Sequence, residues 1–389
     1  MVEIEKHAGV VVVGAGVAGL TLGNLLRRNG IDCMILERRS RGHVEARQRA
    51  GTLDTRGVRL FREWGLAEVL DAGPTPEVEG GFFIDGHAMP IEVDEDDNES
   101  MFIPQQVLVR RLADIFRREG GDIRYEVEVS LADITGPNPV VRFRDADGVT
   151  VVIRCDYIAG CDGDRGVTRA SLPAGALTRY SHEFPYSWLS VLAAVPGKTS
   201  GMAIHSRGLA GLIPRGTENS RIYLQCPNDD TVAQWPDERV WDELEARVGQ
   251  SLGKGEILSK EIVALRSVVY DPMRYGRVYL LGDAAHIVPP MSAKGIHLAL
   301  FDAETFARAL IAQVRDGDPS LLEGYSDTCL HHVWNYQAFA TWITDLMHNA
   351  GDPSLEGEFR KQVARAELRR QFESAAANRI FSELTSGIA

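Results

Sequence analysis

The sequence has few of the features that mark secreted, metal-bound or nucleic-acid-binding proteins. Only 5 of its 389 residues are cysteines. They are scattered and form no Cys-x-x-Cys pair, which argues against a disulfide framework or a zinc site. The formal net charge of −13 argues against a nucleic-acid partner, because its phosphates would be repelled by such a surface. We therefore expect a cytoplasmic protein without a bound metal.

The chain also lacks a long apolar run. No stretch approaches the roughly 18 consecutive apolar residues that a membrane-spanning helix needs, and the N-terminus shows no basic segment with a cleavage signal. Hydrophobic residues make up 44% and charged residues 25% of the composition, values typical of globular proteins. The sequence therefore predicts a globular protein with a packed core and no membrane partner.

The order of the predicted elements favours an α/β fold. Residues 9–37 predict a strand, a glycine-rich turn, a helix and a second buried strand. Residues 176–275 mostly alternate between apolar and polar, as strands do, and the chain beyond them is mostly helical. We divide the sequence into residues 1–175, 176–275 and 276–389. The first and third segments are expected to form one domain, with the second segment inserted as a sheet domain.

The turn Gly14-x-Gly16-x-x-Gly19 has a spacing suited to a pyrophosphate. The first glycine permits the tight turn, the second lets the backbone approach the phosphates, and the third lets the helix pack closely on the strand. Glu37 ends the second strand 23 residues after Gly14, where a carboxylate that binds ribose is expected. These four residues predict a dinucleotide cofactor.

Two more apolar strands end in a turn that contains aspartate and glycine. Asp162 follows YIAGC, and Asp283 follows VYLLG. Three such strand ends suggest one long ligand that crosses the edge of a sheet, and the Asp283 carboxylate can accept hydrogen bonds from ribitol-like hydroxyls. Lys294 and Gly295 open the next helix, where backbone N–H groups can face an electron-rich ring. This loop therefore suits a flavin.

Taken together, the glycine turn with Glu37, the CDG turn and the segment GDAAHIVPPMSAKG resemble the FAD-dependent aromatic hydroxylases, the class A flavoprotein monooxygenases. The similarity runs from about residue 9 to about residue 345. It implies a Rossmann-like FAD-binding domain with an inserted β-sheet substrate domain and C-terminal helices. It also implies that NAD(P)H reduces FAD and that O2 then forms a flavin C4a-hydroperoxide, which transfers oxygen to an aromatic ring.

The resemblance assigns several positions to the two cofactors. Arg49 and Gln105 match positions that contact FAD. Positions linked to the nicotinamide nucleotide are matched by Arg47, Arg165, Arg169 and Arg266. The alternative for each arginine is a solvated surface charge.

The resemblance also assigns substrate positions in the middle segment. Arg215 matches an arginine that holds a benzoate carboxylate through its planar fork, and Tyr223 matches as well. Met202 stands where the family has a tyrosine, and Ile213 where it has a serine. A second relay hydroxyl falls near Leu384, so the groups that draw off a phenol proton are missing.

Two positions are candidates for direct contact with the aromatic substrate. Pro290 matches a proline whose carbonyl lies beside the ring. His297, or else His205, is the candidate base for the phenol proton, and the alternative is a structural histidine.

The expected activity is hydroxylation of a carboxylated phenol, such as 4-hydroxybenzoate or 3-amino-4-hydroxybenzoate, with NAD(P)H and O2. The alternatives are decarboxylative hydroxylation or halogenation on the same fold, and a flavin-binding regulator without turnover. The sequence leaves the oligomeric state open, a homodimer included.

Overall fold

The computed structural model of the protein describes residues 3–46, 51–71, 79–84, 87–89, 99–196, 199–249, 253–348 and 355–388. The helices are α1 (Val17–Arg28), α2 (Arg41–Ala46), α3 (Thr55–Glu63), α4 (Gln105–Arg118), α5 (Val167–Ala170), α6 (Asp237–Val248), α7 (Gly295–Asp316), α8 (Ser320–Glu323), α9 (Tyr325–Met347), α10 (Leu355–Glu373) and α11 (Ala375–Ser386).

The strands of the first half are β1 (Glu3–Val13), β2 (Cys33–Leu36), β3 (Thr52–Leu53), β4 (Glu79–Ile84), β5 (His87–Met89), β6 (Met101–Phe102), β7 (Asp122–Arg124), β8 (Ser130–Ala132), β9 (Val140–Arg144) and β10 (Thr150–Gly160). Those of the second half are β11 (Thr178–Ala193), β12 (Thr199–His205), β13 (Gly208–Arg215), β14 (Asn219–Cys226), β15 (Ile257–Asp271), β16 (Arg274–Tyr275), β17 (Val278–Leu280) and β18 (His286–Ile287). The predicted α/β class is confirmed.

The chain divides into two compact units. The first comprises Met1–Ala72, Ser100–Ser181 and Ser267–Ala338, and the second comprises Gly73–Glu99, His182–Arg266 and Phe339–Ala389. The last fifty residues thus group with the second unit, whereas the sequence-based division placed 276–389 together. The assignment of cofactor and substrate domains at 175/176 and 275/276 itself stays a prediction.

The first unit is built on a mostly parallel sheet with the strand order β16-β17-β10-β1-β2-β7, and β9 and β8 extend it beside β10. The central strand β1 pairs in parallel with β2 and β10. Its segment Val10–Val13 is at most 4% exposed, because both faces of a parallel sheet are covered. This explains why the strand is a continuous run of valines rather than an alternating pattern.

The second unit contains an antiparallel sheet in which β11, β14, β13 and β12 are neighbours in that order, and β4 joins β12 in parallel. One face of this sheet packs on helix α6. The buried side chains of that core include Leu189, Val191, Leu212, Ile222 and Leu224 from the strands and Val240, Trp241, Leu244 and Val248 from the helix. Because successive residues along a strand point to opposite faces, the alternate residues of these strands form the other face of the sheet.

The C-terminal part is helical, as predicted from the sequence. Helices α10 and α11 contact each other, and Phe381 of α11 packs edge-on against Phe339, with ring centroids 6.0 Å apart. Among the described residues, no helix is both long enough and apolar enough to cross a membrane.

Candidate active site

Four parallel strands of the first unit end in register at one edge of the sheet. Val13 of β1 pairs with Leu36 of β2 and with Gly160 of β10, and Gly160 pairs with Leu280 of β17. The residues that follow these four positions carry the glycine turn, Glu37, the CDG turn and the GDA turn. The carboxyl ends of parallel strands are where ligands bind in open α/β sheets. The structure therefore brings together the strand ends that the sequence singled out.

The three glycines of the first turn are required for different geometric reasons. Gly14 has a φ of +108°, and a Cβ there would collide with the carbonyl of Cys161. A Cβ on Gly19 would collide with the carbonyl of Gly14, so the helix can approach the strand only without it. A Cβ on Gly16 would meet nothing within 4 Å among the residues that the structure describes. The space in front of Gly16, at the start of α1, is therefore open to a ligand.

Glu37 is tied to the glycine turn by its own side chain. Its Oε2 accepts a hydrogen bond from the backbone N–H of Ala15 at 2.9 Å, and its Oε1 accepts one from Arg39 N–H at 2.7 Å. These two bonds fix the carboxylate at the end of β2, next to the start of α1. This is the position expected of a carboxylate that binds the ribose of a dinucleotide.

Asp162 supports the short helix α5 from the end of β10. Its Oδ2 accepts hydrogen bonds from the backbone N–H of Thr168 at 2.8 Å and from the Thr168 hydroxyl at 2.9 Å. Its Oδ1 is buried and has no hydrogen-bond partner within the described part of the chain. Burial raises the pKa of this carboxyl group, although the Thr168 donors oppose the shift. The unsatisfied oxygen marks a place where a ligand donor can be accommodated.

Arg169 joins two of the strand-end turns. Its Nη1 donates to the carbonyl of Ala284 at 2.7 Å, and its Nη2 donates to the carbonyl of Asp164. The guanidinium also lies 4.1 Å from the centre of the Tyr270 ring. Arg169 therefore has a structural function in addition to the nucleotide-binding function predicted for it.

A cleft lies beside this arginine. Its volume is about 430 Å³, and its lining includes Asp164, Arg165, Arg169, Pro173 and Tyr270. Arg165 is exposed to solvent. Two of the arginines predicted to bind the nicotinamide nucleotide thus share one cleft.

The GDA turn is anchored from beneath by a buried ion pair. Asp302 accepts a hydrogen bond from the backbone N–H of Gly282 at 2.8 Å, and its Oδ2 lies 2.7 Å from Nε2 of His286. Burial alone would lower the pKa of His286, but the charge and hydrogen bond of Asp302 outweigh it and raise the pKa. Asp283, predicted to bind the ribitol hydroxyls, is half-buried on this anchored turn.

Lys294 does not point into solvent from the start of α7. Its side chain is 2% exposed, and its Nζ lies 2.8 Å from Oδ2 of Asp54. The same oxygen lies 2.7 Å from Nδ1 of His297. Burial opposes ionisation of Asp54, but the hydrogen bond from His297 and the charge of Lys294 lower its pKa. Lys294 is therefore a partner in a buried charge cluster.

Gly295 begins α7 with its backbone accessible. Within the described ranges, a Cβ there would meet nothing within 4 Å, and no side chain caps the helix at Lys294. The N–H groups of this first turn have no partner inside the helix. The backbone is open at Gly16 and Gly295, and Asp162 offers a buried acceptor oxygen. Together these features fit the phosphates, hydroxyls and ring of FAD.

The predicted substrate residues share one face of the sheet in the second unit. Met202 pairs with Gly211, Gly211 with Tyr223, and Ile213 with Arg221. Directly paired residues point to the same side, and Arg215 follows Ile213 by two positions. We call this the polar face, made of Trp188, Ser190, Met202, Ile213, Arg215, Arg221 and Tyr223. The predicted residues therefore lie opposite the core under α6.

The polar face carries two neighbouring positive charges. Arg221 is 7% exposed and donates from Nη1 to the Ser190 hydroxyl at 3.2 Å. Burial lowers the pKa of Arg215, and the charge of Arg221 adds to this effect while Tyr223 counteracts it. Guanidinium groups remain protonated under such shifts. A buried and a half-buried cation close together on one face favour binding of an anion.

An aromatic cluster supports this face from one side. The ring of Trp188 lies 4.6 Å from that of Tyr223, and its Nε1–H donates to Nε2 of His348 at 2.6 Å. Nδ1 of His348 bonds to the carbonyl of Thr344 at 2.7 Å. Both nitrogens are occupied, and burial lowers the pKa of His348 to about 4. The histidine is therefore held in the neutral form.

The remaining predicted residues are spread over the molecule. Gln105 begins α4, and Arg266 is half-buried in β15. The carbonyl of Pro290, an exposed residue, accepts a hydrogen bond from the N–H of Ala293 at 3.1 Å. His205 ends β12, and Leu384 lies in α11. Arg47 and Arg49 lie outside the described residues.

The sequence interpretation missed the partners of Lys294 and His297. Asp54 precedes α3 and accepts from the N–H of Gly57 at 3.0 Å, a helix cap that a sequence pattern could have indicated. His332 lies on α9, with its Nε2 2.7 Å from Nε2 of His297. No local signal in the sequence links these three segments.

Comparison with known proteins points to one family. The family described as "FAD binding domain" matches residues 7–340. The chain is 34% identical over 388 residues to a p-hydroxybenzoate hydroxylase of Acinetobacter baylyi, which covers 97% of this chain and 95% of that protein. It is 29% identical over 334 residues to a rifampicin monooxygenase of Streptomyces venezuelae, which covers 82% of this chain and 66% of that protein.

Solved structures share the fold. p-Nitrophenol 4-monooxygenase from Pseudomonas putida matches with a TM-score of 0.83 and 18% identity over 99% of both chains. An aklavinone-11 hydroxylase, in a ternary complex with FAD and aklavinone, matches with a TM-score of 0.75 and 22% identity, covering 88% of this chain and 69% of that one. At these identities the likeness concerns the fold alone.

Proposed function

The chain belongs to the FAD-binding family and is an FAD-dependent aromatic monooxygenase, and we propose that its substrate is a phenol that carries a carboxylate group. The observation that supports this choice is the polar face of the second unit. Arg215 and Arg221 supply two cations there, beside the ring of Tyr223 and the apolar side chains of Met202 and Ile213. A benzoate offers one carboxylate and one flat apolar ring.

In this proposal the planar fork of Arg215 holds the carboxylate. A guanidinium can donate two parallel hydrogen bonds to a carboxylate, which fixes orientation as well as position. Arg221 is held by Ser190 and raises the local positive potential. Tyr223 packs against Trp188, so its ring is oriented before substrate arrives. The substrate would thus be held by charge at one end and by packing along the ring.

The first unit would hold FAD along its four strand ends. The open backbone at Gly16 receives the pyrophosphate, Glu37 the ribose, and the first turn of α7 the flavin ring. When bound, FAD would supply the redox chemistry of the reaction, namely acceptance of a hydride from NAD(P)H and activation of O2 for transfer of one oxygen atom to the aromatic ring. The side chains of the unit bind, orient and exclude water.

NAD(P)H would use the cleft that contains Arg165 and Arg169. Both guanidinium groups can bond to phosphate oxygens, and Tyr270 provides a flat ring at the wall of the cleft. Arg169 already donates to two backbone carbonyls, so Arg165 is the residue with more freedom to bind phosphate. The assignments of Arg47, Arg49, Gln105, Arg266 and Pro290 stay predictions.

The chemistry of the polar face favours a ring with an additional electron donor. Met202 and Ile213 carry no hydroxyl group, so they cannot draw off a phenol proton. A plain 4-hydroxybenzoate would bind through its carboxylate but ionise poorly. An amino group beside the phenol activates the ring without full deprotonation. We therefore propose 3-amino-4-hydroxybenzoate, or a similarly substituted 4-hydroxybenzoate, as the preferred substrate.

The test is a competition between 4-hydroxybenzoate and 3-amino-4-hydroxybenzoate on the FAD-loaded protein, with product identified by mass and counted per NAD(P)H consumed. We expect the amino compound to be hydroxylated faster and with tighter coupling. Faster, tightly coupled hydroxylation of 4-hydroxybenzoate would contradict the choice of 3-amino-4-hydroxybenzoate. It would not contradict the proposal that the substrate is a carboxylated phenol.

The same measurement separates the other outcomes that this fold allows. Release of CO2 would indicate decarboxylative hydroxylation, and a halogenated product would indicate a halogenase. Oxidation of NAD(P)H that no aromatic acid stimulates, without any product, would indicate a flavin-binding regulator.

A further inference from the structure

A continuous line of titratable side chains crosses the interior of the first unit. Oδ2 of Asp54 lies 2.7 Å from Nδ1 of His297, and Nε2 of His297 lies 2.7 Å from Nε2 of His332. The three residues come from the start of α3, from α7 and from α9. Asp54 is 6% and His297 is 3% exposed, whereas His332 is only half-buried. The line therefore runs from the surface to a buried carboxylate.

The contacts determine which nitrogen of each ring carries a proton. The Asp54 carboxylate is an acceptor, so His297 must donate from Nδ1. In neutral His297 the other nitrogen, Nε2, is then an acceptor. The 2.7 Å contact between the two rings requires one donor, so His332 must donate from Nε2. Each ring thus accepts on one side and donates on the other, which is the arrangement that proton transfer along a chain requires.

The surroundings hold this line in place and keep water away from it. Tyr336 is buried, and its ring lies 4.4 Å from that of His297 and 4.8 Å from that of His332. Phe301 stacks on His332 with ring centroids 3.7 Å apart. Proton transfer between fixed, closely spaced partners needs little rearrangement of the protein.

The charges around the two imidazoles oppose a lasting positive charge on them. Burial lowers the pKa of His332, and His297, Arg56 and His286 add to this effect while Asp54 counteracts it. Burial also lowers the pKa of His297. Asp54 counteracts this effect, and the charge of Lys294 adds to it. Neither imidazole therefore retains an added proton, which occupies each ring only during transfer.

We propose that His332, His297 and Asp54 form a proton-conducting chain between solvent and the buried Asp54–Lys294 pair at the loop assigned to the flavin ring, an inference that rests on the proposed function. A proton from solvent binds to Nδ1 of His332, whose Nε2 proton moves to Nε2 of His297. The Nδ1 proton of His297 then moves to Oδ2 of Asp54, which holds it only transiently because His297 and Lys294 lower the pKa of this carboxyl group. One proton enters and one reaches the carboxylate, so the count of protons is conserved.

The overall reaction gives such a chain a function. Hydroxylation of RH follows NAD(P)H + H⁺ + O2 + RH → NAD(P)⁺ + ROH + H2O, so one proton is consumed in each turnover. Where a substrate phenol does ionise, it releases another proton, which must return afterwards. Transfers in both directions within one cycle restore the starting positions of the protons on His297 and His332.

The experiment measures proton uptake on reduction of the bound flavin in the FAD-loaded protein. The flavin is reduced photochemically in weakly buffered solution, and a pH-indicator dye follows the proton. His332→Phe keeps a flat ring for the stack with Phe301 but cannot carry a proton. His331→Phe makes the same change at an exposed neighbour on the same helix and serves as the matched control.

We expect uptake in the unchanged protein and in His331→Phe to keep pace with reduction, and uptake in His332→Phe to lag by about tenfold or more, in line with the effect of losing a positioned proton-transfer group. Added imidazole should restore the rate in His332→Ala. Uptake that keeps pace in His332→Phe, or a lag in His332→Ala that imidazole does not shorten, would overturn the proposal.

A second readout does not depend on any turnover. In protein labelled with ¹⁵N in its histidine rings, NMR should find His297 protonated at Nδ1 and His332 at Nε2, and His332→Phe should shift the His297 signals. Protonation of His332 at Nδ1 alone would overturn the chain. Absence of hydroxylated product from every aromatic acid would refute the proposed function, whereas these two measurements would still decide on the proton chain.

Discussion

The ε-ammonium group of Lys294 lies 2.8 Å from a carboxylate oxygen of Asp54, a residue 240 positions earlier in the chain. Both side chains are buried, and Asp54 also caps α3 through the N–H of Gly57. A lysine that sequence similarity assigns to a cofactor is thus first of all a partner in a buried ion pair. That pair can be tested separately from the cofactor.

Asp54→Asn should lower the free energy of unfolding by about 3 kcal/mol, because removal of one partner of a buried pair leaves the other charge uncompensated. Asparagine keeps the helix cap, so the loss reports the charge. Asp54→Ala should lose about 1 kcal/mol more, since it also removes the cap. Urea unfolding of both variants gives the comparison. If Asp54→Asn leaves the free energy of unfolding unchanged, the ion pair does not stabilise the protein.

Gly16→Ala should weaken FAD binding by tenfold or more without lowering the stability of the apoprotein. The new Cβ would meet nothing within 4 Å in the part of the chain that the structure describes but would occupy space proposed for the pyrophosphate. Gly14→Ala should instead lose both stability and FAD, since its φ is +108° and its Cβ would meet Cys161. Flavin absorbance and thermal unfolding are measured, with Gly42→Ala as the control. Full FAD content in Gly16→Ala would remove the glycine turn from the binding site.

Arg215→Ala should raise the dissociation constant of a benzoate substrate while leaving FAD content unchanged. Loss of one partner of a desolvated charge pair costs about 2–5 kcal/mol, which corresponds to roughly 30-fold to several-thousand-fold in affinity. Titration of the flavin absorbance gives the constant. A phenol without the carboxylate should bind both proteins equally weakly, and an unchanged constant for the benzoate would refute the assignment of Arg215.

Arg165→Ala and Arg169→Ala should differ in a defined way. Removal of the exposed Arg165 should raise KM for NAD(P)H about 10- to 100-fold, the range for a lost hydrogen bond to a charged group, with no change in thermal stability. Removal of Arg169 should raise KM and also destabilise the protein by about 1–3 kcal/mol, because its bonds to Ala284 and Asp164 are lost. Identical KM values in all three proteins would exclude this cleft as the nucleotide site.

The free energy of unfolding should fall as the pH decreases from about 6.5 to about 4 through His348. Burial lowers the pKa of His348 to about 4 in the folded protein, against an unfolded value of about 6.5, so only the unfolded chain gains a proton in this window. The stabilisation is complete above pH 6.5 and is lost as the pH falls, by about 3 kcal/mol in total. His348→Gln should show a shallower dependence in urea unfolding, and equal slopes would contradict the assignment.

The strand-end turns of the proposed FAD site could be predicted from the sequence because their signals are local. Gly14, Gly16 and Gly19 lie within one turn, and a glycine turn between a strand and a helix leaves few alternatives. The turns at Asp162 and Asp283 repeat the same pattern at two further strand ends. Parallel pairing then places all these ends at one edge, which is a consequence of topology rather than of any single residue.

The residues that the sequence could not indicate are those whose partners are distant in the chain. Lys294, His297 and His332 meet Asp54 only because α3, α7 and α9 pack together, and the spacing within each segment carries no trace of the others. The function of Arg169 as a link between two turns is similarly invisible, since both acceptors are backbone carbonyls. Trp188 and His348 are 160 positions apart.

Because side chains alternate between the two faces of the sheet in the second unit, the residues that pack the core are separate from those of the polar face. Residues such as Leu212 and Ile222 pack beneath α6, whereas Met202, Ile213 and Tyr223 project from the opposite side of the same strands. If the proposed substrate site is right, mutations at the second set change the shape and polarity offered to an aromatic ring without opening cavities in the core. A library aimed at a new aromatic substrate can therefore be restricted to a few positions on the polar face, away from the core packed beneath α6.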